Sequence, residues 1–211
     1  MGKRHAWIGQ PVQRLEDRRF ITGRGCFVGD LQPVGCLHAA LFRSPLAHGH
    51  IEALDVAAAR AAPGVRALFT AADLGAAPPR IPMRMEPRPE LERFIQGVLA
   101  HGKVRYAGEP LALVVTDSAA LAKDALALIG CEIAALPAVT STAAALAGAP
   151  FLFEEHASNH AMTLAGARGD AAAAFADAAY TRRETFRVQR HTAVPMETRG
   201  LLADWRDGRL T

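Results

Sequence analysis

The sequence predicts a mixed α/β (α+β) protein, and three observations carry that expectation. Short apolar runs bounded by Gly, Pro, Asp and Ser read as strands. A Ser-capped amphipathic segment, SAALAKDALALIG, stands between two of those runs. Half of the 211 residues, 50%, are apolar, enough to bury one good core or two small ones.

Taken in order, residues 1–34 are rich in Gly, Pro and Arg and read as an extended arm. CLHAALFRS and HGHIEALDV then read as two short strands around the turn residues Ser44 and Pro45. Asp55 is placed to cap VAAARAA, which Pro63 and Gly64 stop. VRALFT is a strand, and Thr70 is placed to cap AADLG. The passage from Gly75 to Glu90 is a loop, because its prolines remove the donors that a ladder or helix needs. LERFIQGVLA offers a helical turn or more, and KVRYAG and LALVVT are strands.

Ser118 then caps a helix that places Leu121, Ala125 and Leu128 on one face, and the strand CEIAAL follows directly. Strand, helix and strand in that order predict a right-handed crossover unit with parallel strands. Beyond the short helix TSTAAALAG, the segment NHAMTLAGARG, the alternating YTRRETFRVQR and LLADW are expected to be antiparallel-looking strands, with an Asp170-initiated helix, AAAAFADA, among them. Asp207-Gly208 is a strong hairpin signal, and only three residues follow it. The expectation is therefore a half-made hairpin on a truncated chain, its returning strand supplied from elsewhere.

Charge excludes some functions. Lys and Arg number 24 against 21 Asp and Glu, a net charge of +3, and the basic residues are scattered, so no nucleic-acid track is expected. Cys26, Cys36 and Cys131 have neither metal-site spacing nor an even count, which points to a reducing compartment. The start carries no apolar leader and no window approaches a membrane span, so cytoplasm without a membrane partner is the expected location.

Several constellations invite chemistry. His48 and His50 could share a strand face with His38 on its neighbour, but no carboxylate or thiolate stands at matching spacing for a metal. Glu154, Glu155 and His156 resemble acid and base groups on a surface segment. In VRYAGEPLALVV, Pro110 biases Glu109 to an extended conformation and Gly108 permits close backbone approach, so Gly108-Glu109-Pro110 reads as an entry to a buried strand in preference to a catalytic site. Met196, Glu197 and Arg199, preceded by Gln189, Arg190 and His191, could line a cleft or satisfy a turn.

Four stretches together resemble the amino-terminal part of the molybdenum-binding large subunit of the xanthine dehydrogenase, aldehyde oxidase and aerobic carbon monoxide dehydrogenase family. They are IGQPVQRLEDRRFITGRGCFVGDL, LHAALFRSPLAHGHIEALD, VRYAGEPLALVVTDSAALAKDALALI with its trailing LPAV, and FRVQRHTAVPMETRGLLADW. Ile133-Ala134 departs from the aromatic and acidic pair usual there.

The resemblance implies an arm over 1–19, an α/β hammerhead domain over 20–140 and an incomplete start of a molybdopterin-binding domain over 150–211. It implies an oxidoreductase that hydroxylates an aldehyde, N-heterocycle or purine with oxygen from water, or oxidises carbon monoxide. Its cofactors would be molybdenum on a molybdopterin, with the cytosine dinucleotide form favoured, and 2Fe-2S clusters and FAD on partner subunits. Its partners would be the remainder of the pterin-binding chain, the iron–sulfur and FAD subunits, and copies in a higher oligomer. Gly108, Glu109, Pro110, Met196, Glu197 and Arg199 match family motifs in structural or supporting roles. No catalytic, cofactor-binding or metal residue is assigned, since the family's Gly-rich loops and catalytic glutamate match nothing here, and the isolated chain is expected to be silent. The alternatives are a non-catalytic hammerhead assembly module that docks onto other enzyme subunits, and a small independent α/β binding protein.

Overall fold

A computed structural model of the chain describes residues 7–82, 88–189, 191–195 and 197–211. They fall into two compact units, one running from Cys36 to Ala179 and the other joining the described residues up to Gly35 with Tyr180–Thr211.

The larger unit is built on two three-stranded sheets. Strands β1 (His38–Arg43), β5 (Pro110–Thr116) and β3 (Val65–Thr70) form the first, with β5 in the centre. Strands β4 (Lys103–Val104), β2 (Gly49–Asp55) and β6 (Gly130–Ala135) form the second, with β2 in the centre. Every pairing in both sheets is antiparallel. The consecutive strands β1 and β2 therefore belong to different sheets and do not pair, which also separates His38 from His48 and His50.

This topology corrects the parallel crossover. Strands β5 and β6 flank α3 (Ala119–Ala127) in the chain but lie in different sheets. The helix packs on β1, β5 and β3 and does not bridge two parallel neighbours. Its predicted face holds in part: Ala125 is buried as expected and Ala122 joins it, whereas Leu128 is 47% exposed just past the helix end. Small side chains face the sheet because they let the helix lie close to it.

Strand β5 has little solvent on either side. Ala112 and Val114 join Ala59, Leu68, Ala125 and Ile129 in one core, and Leu111 joins Ala100 and Val104 in another. The alternation of a pleated strand sends these two sets to opposite faces. Phe42 and Leu54 pack against both clusters and tie them together.

The local stops and starts follow the sequence. The Ser118 side chain accepts from Leu121 N–H, and Ser141 does the same for Ala144 at α4 (Thr142–Ala147). Asp55 Oδ1 accepts from Ala57 N–H at the start of α2 (Ala57–Ala61). Thr70 and Asp73 close the 3-10 turn Ala71–Leu74, where the Thr70 N–H and hydroxyl hold the Asp73 carboxyl below its ordinary pKa. LERFIQGVLA contributes only the end of the 3-10 helix Pro89–Phe94.

Residues 159–169 and 180–189, expected as strands, form no ladder among the described residues, although α5 (Ala171–Ala176) begins at Asp170 as anticipated. Alternation alone does not make a strand; the ladder needs a partner.

In the second unit the arm is not wholly extended. It holds a short helix, α1 (Asp17–Ile21), and a 3-10 turn over Val28–Asp30. Phe20 stacks on Phe27 at 5.4 Å, with Arg14 and Arg19 over the Phe20 ring. The carboxy-terminal hairpin is complete, if short. Strands β7 (Trp205–Arg206) and β8 (Arg209–Leu210) pair around Asp207 and Gly208, both at positive φ, which corrects the half-made hairpin.

Candidate functional site

Glu109 sits where the chain enters β5. Gly108, at φ +89°, turns the backbone so that its N–H donates to Ser44 O at 2.8 Å, while Ser44 N–H donates to Glu109 O at 2.9 Å. Arg43 Nη1 donates to Gly108 O at 2.8 Å, and Pro110 pairs with Arg43 as the first rung of β5. The Glu109 side chain is 3% exposed and its Oε2 accepts the Arg105 N–H at 2.5 Å. Gly108-Glu109-Pro110 thus closes a turn onto the end of β1. Burial pushes the Glu109 carboxyl above its ordinary pKa, against the lowering effect of the Arg105 N–H and charge. Burial also raises Tyr106, and the Glu109 charge adds to it.

The second group of predicted positions lies in the other compact unit. Glu197 and Arg199 are exposed there, and Met196 and Arg190 fall outside the described residues. His191 bonds locally, its Nδ1 lying 3.3 Å from Gln189 O.

A constellation invisible in the spacing of the sequence gathers around Lys103. Its ammonium, on a residue only 7% exposed, donates to Glu154 Oε2. That bond holds the Glu154 carboxyl below its usual range. His48 is 3% exposed, with Nδ1 2.8 Å from Pro137 O and Nε2 without a partner. The same segment brings Phe153 under the Arg105 guanidinium at 4.5 Å and edge-on to Phe94 at 5.3 Å. His156 Nε2 lies 3.0 Å from Arg93 O. The surface run Glu154-Glu155-His156 is therefore a 3-10 turn clasped to β4 and its approach.

Beside this clasp lies a cavity of about 510 Å³, with Arg80, Arg93, His101, Arg105, Glu109 and Glu155 among its walls. No cluster of three or more His, Cys, Asp or Glu able to hold a metal occurs among the described residues. The three histidines considered for a metal are not gathered: His50 is exposed and His38 lies in the other sheet.

Comparison with known proteins agrees with this architecture. Residues 22–137 match the family described as aldehyde oxidase and xanthine dehydrogenase, a/b hammerhead domain, and residues 152–211 match the molybdopterin cofactor-binding domain. The chain is 38% identical over 205 residues to the nicotine 6-hydroxylase large subunit of Paenarthrobacter nicotinovorans, covering 96% of this chain and 25% of that protein. It is 34% identical to the carbon monoxide dehydrogenase large chain of Hydrogenophaga pseudoflava, covering 90% and 25%. Among solved structures, quinoline 2-oxidoreductase from Pseudomonas putida 86 superposes with a TM-score of 0.60 at 39% identity, over 80% of this chain and 21% of that one. The chain spans about a quarter of the length of these curated relatives. With the hammerhead match alone covering more than half of its residues, the chain belongs to the aldehyde oxidase and xanthine dehydrogenase family of molybdenum oxidoreductases.

Proposed function

We propose that this chain serves as the amino-terminal segment, or as a split subunit, of the large chain of a molybdenum hydroxylase whose substrate is an aromatic N-heterocycle. The observation that carries the reading is the succession of a hammerhead domain and a molybdopterin domain on one chain, aligned over 205 residues with a nicotine 6-hydroxylase large subunit. The substrate class is favoured because the quinoline enzyme is as similar, at 39% identity, whereas the carbon monoxide enzyme stands at 34%.

When bound, the molybdenum–pterin group supplies two-electron redox chemistry, with water as the oxygen source. The cytosine dinucleotide form, and 2Fe-2S and FAD subunits as electron carriers, complete the reading, which places the assembly in the cytoplasm. The part of this chain is structural. Its buried β5, anchored by the Gly108-Glu109-Pro110 turn, makes the hammerhead rigid. The Lys103–Glu154 clasp fixes the start of the second family domain onto the first.

The test is gentle purification from the native host, with copurifying chains identified by mass spectrometry and molybdenum and iron assayed on the same sample. Copurification of the remaining pterin-binding part, an iron–sulfur subunit and molybdenum, with dye reduction by quinoline or nicotine, is the expected outcome. A chain that comes alone and metal-free overturns the reading and makes it an assembly module.

A further inference from the structure

The cavity beside the clasp gathers cations with few anions to answer them. Arg80, Arg93 and Arg105 all line it, and among the described residues none of the three forms an ion pair. Arg80 spends Nη2 on the carbonyls of Glu92 and Ile95, at 2.7 and 2.8 Å, which pins the chain around it. Arg93 lies 4.9 Å over Phe94 and Arg105 lies 4.5 Å over Phe153, so aromatic faces hold both guanidiniums in place.

Of the three, Arg105 alone has a buried nitrogen with no acceptor. That nitrogen is Nε, and Nη1 makes one long contact of 3.5 Å with Lys103 O. A guanidinium stacked on a ring presents its edge as a planar fork of donors, a geometry that matches an oxyanion.

The two lining carboxylates offset this charge only in part: the Arg105 charge acts on Glu109, yet among the described residues neither carboxylate forms an ion pair with a lining arginine. Glu109 directs Oε2 to the Arg105 backbone N–H, and Glu155 stands 3.8 Å from His156 Nε2. The walls come from four separate stretches: the turn after β3, the approach to β4, the turn between β4 and β5 that carries Arg105 and Glu109, and the clasp. A volume of about 510 Å³ lies within the usual range of small-molecule sites.

We propose that this cavity binds a small organic oxyanion, a carboxylate or a phosphate ester, held by the guanidiniums of Arg105 and Arg93, which both line it. The inference stands on the cavity alone and is independent of the redox reading.

The test is isothermal titration of the full chain at low salt with benzoate, with phenyl phosphate and with neutral benzamide. Saturable binding of at least one anion is expected. Benzamide should be weaker by about tenfold or more, and added KCl should weaken the anion. Whichever anion saturates identifies the source chemistry. Arg105→Gln and Arg93→Gln should each weaken the anion by about tenfold. If Arg105→Gln does not fold, as circular dichroism would show, Arg93→Gln decides. Absence of saturable anion binding to the folded chain, equal binding of benzamide, or unchanged binding in the folded arginine variants overturns the proposal.

Discussion

Glu109 and Glu154 are two carboxyls held in opposite ways, and acid should separate them. Burial raises Glu109 above its ordinary value of 4.5, so its contribution is fully present below that pH and is lost as pH rises through the higher folded pKa. Lys103 lowers Glu154, so its contribution is present above 4.5 and is lost as pH falls through the depressed folded pKa. In denaturant titrations across pH, the stability deficit of Glu109→Gln should shrink as pH rises, whereas that of Glu154→Gln should grow. Parallel profiles would contradict both assignments. Glu109→Ala, which leaves the Arg105 N–H without its acceptor, should cost about 1–3 kcal/mol, more than Glu109→Gln does. The turn-forming role of Gly108-Glu109-Pro110 was legible, because the φ preferences of Gly and of pre-proline residues are local. The Lys103–Glu154 pair was not, since 51 residues separate the partners and neither carries a signal of the other.

The strands and caps show where local pattern suffices. Ser118, Ser141, Asp55 and Thr70 all act at helix or turn starts, because a capping side chain reaches only two or three residues along its own chain. Strand partners are chosen by the fold, so the central places of β5 and β2, and the separation of β1 from β2, could not be read in advance. Leu111, fully buried on β5, should show that centrality. Leu111→Ala is expected to cost about 2–5 kcal/mol in urea unfolding, and a loss under about 1 kcal/mol would contradict its place in the core. Gly49 tests the second sheet. A Cβ there would stand 2.6 Å from the Ala134 carbonyl oxygen and 2.5 Å from Ile133 Cγ2, both on β6. Gly49→Ala should therefore lower the melting temperature, with the loss centred on β2–β6 amides in hydrogen exchange.

The family and its mixed architecture were legible across nearly all of the chain because four motif stretches keep their order, whereas the alternating run from Tyr180 misled, since no strand among the described residues stands beside it. Exposed Tyr180, Phe186, Val188, Leu201 and Trp205 leave this part with apolar surface in water. Hydrogen exchange on the isolated chain should find amides over 180–189 unprotected within seconds while β5 amides persist for far longer; equal protection would show that a ladder forms there. Light scattering should show association that grows with concentration. The separation of β1 and β2 into different sheets has a further consequence, for synthesis. His38 waits for Thr116 and Gly49 waits for Ala135, so neither sheet can close while the ribosome is still adding the middle of the chain. Long-range pairing of this kind folds slowly, and the nascent segment would meanwhile hold bare strand edges. A cell making this protein therefore has reason to shelter it with a chaperone until β6 has emerged.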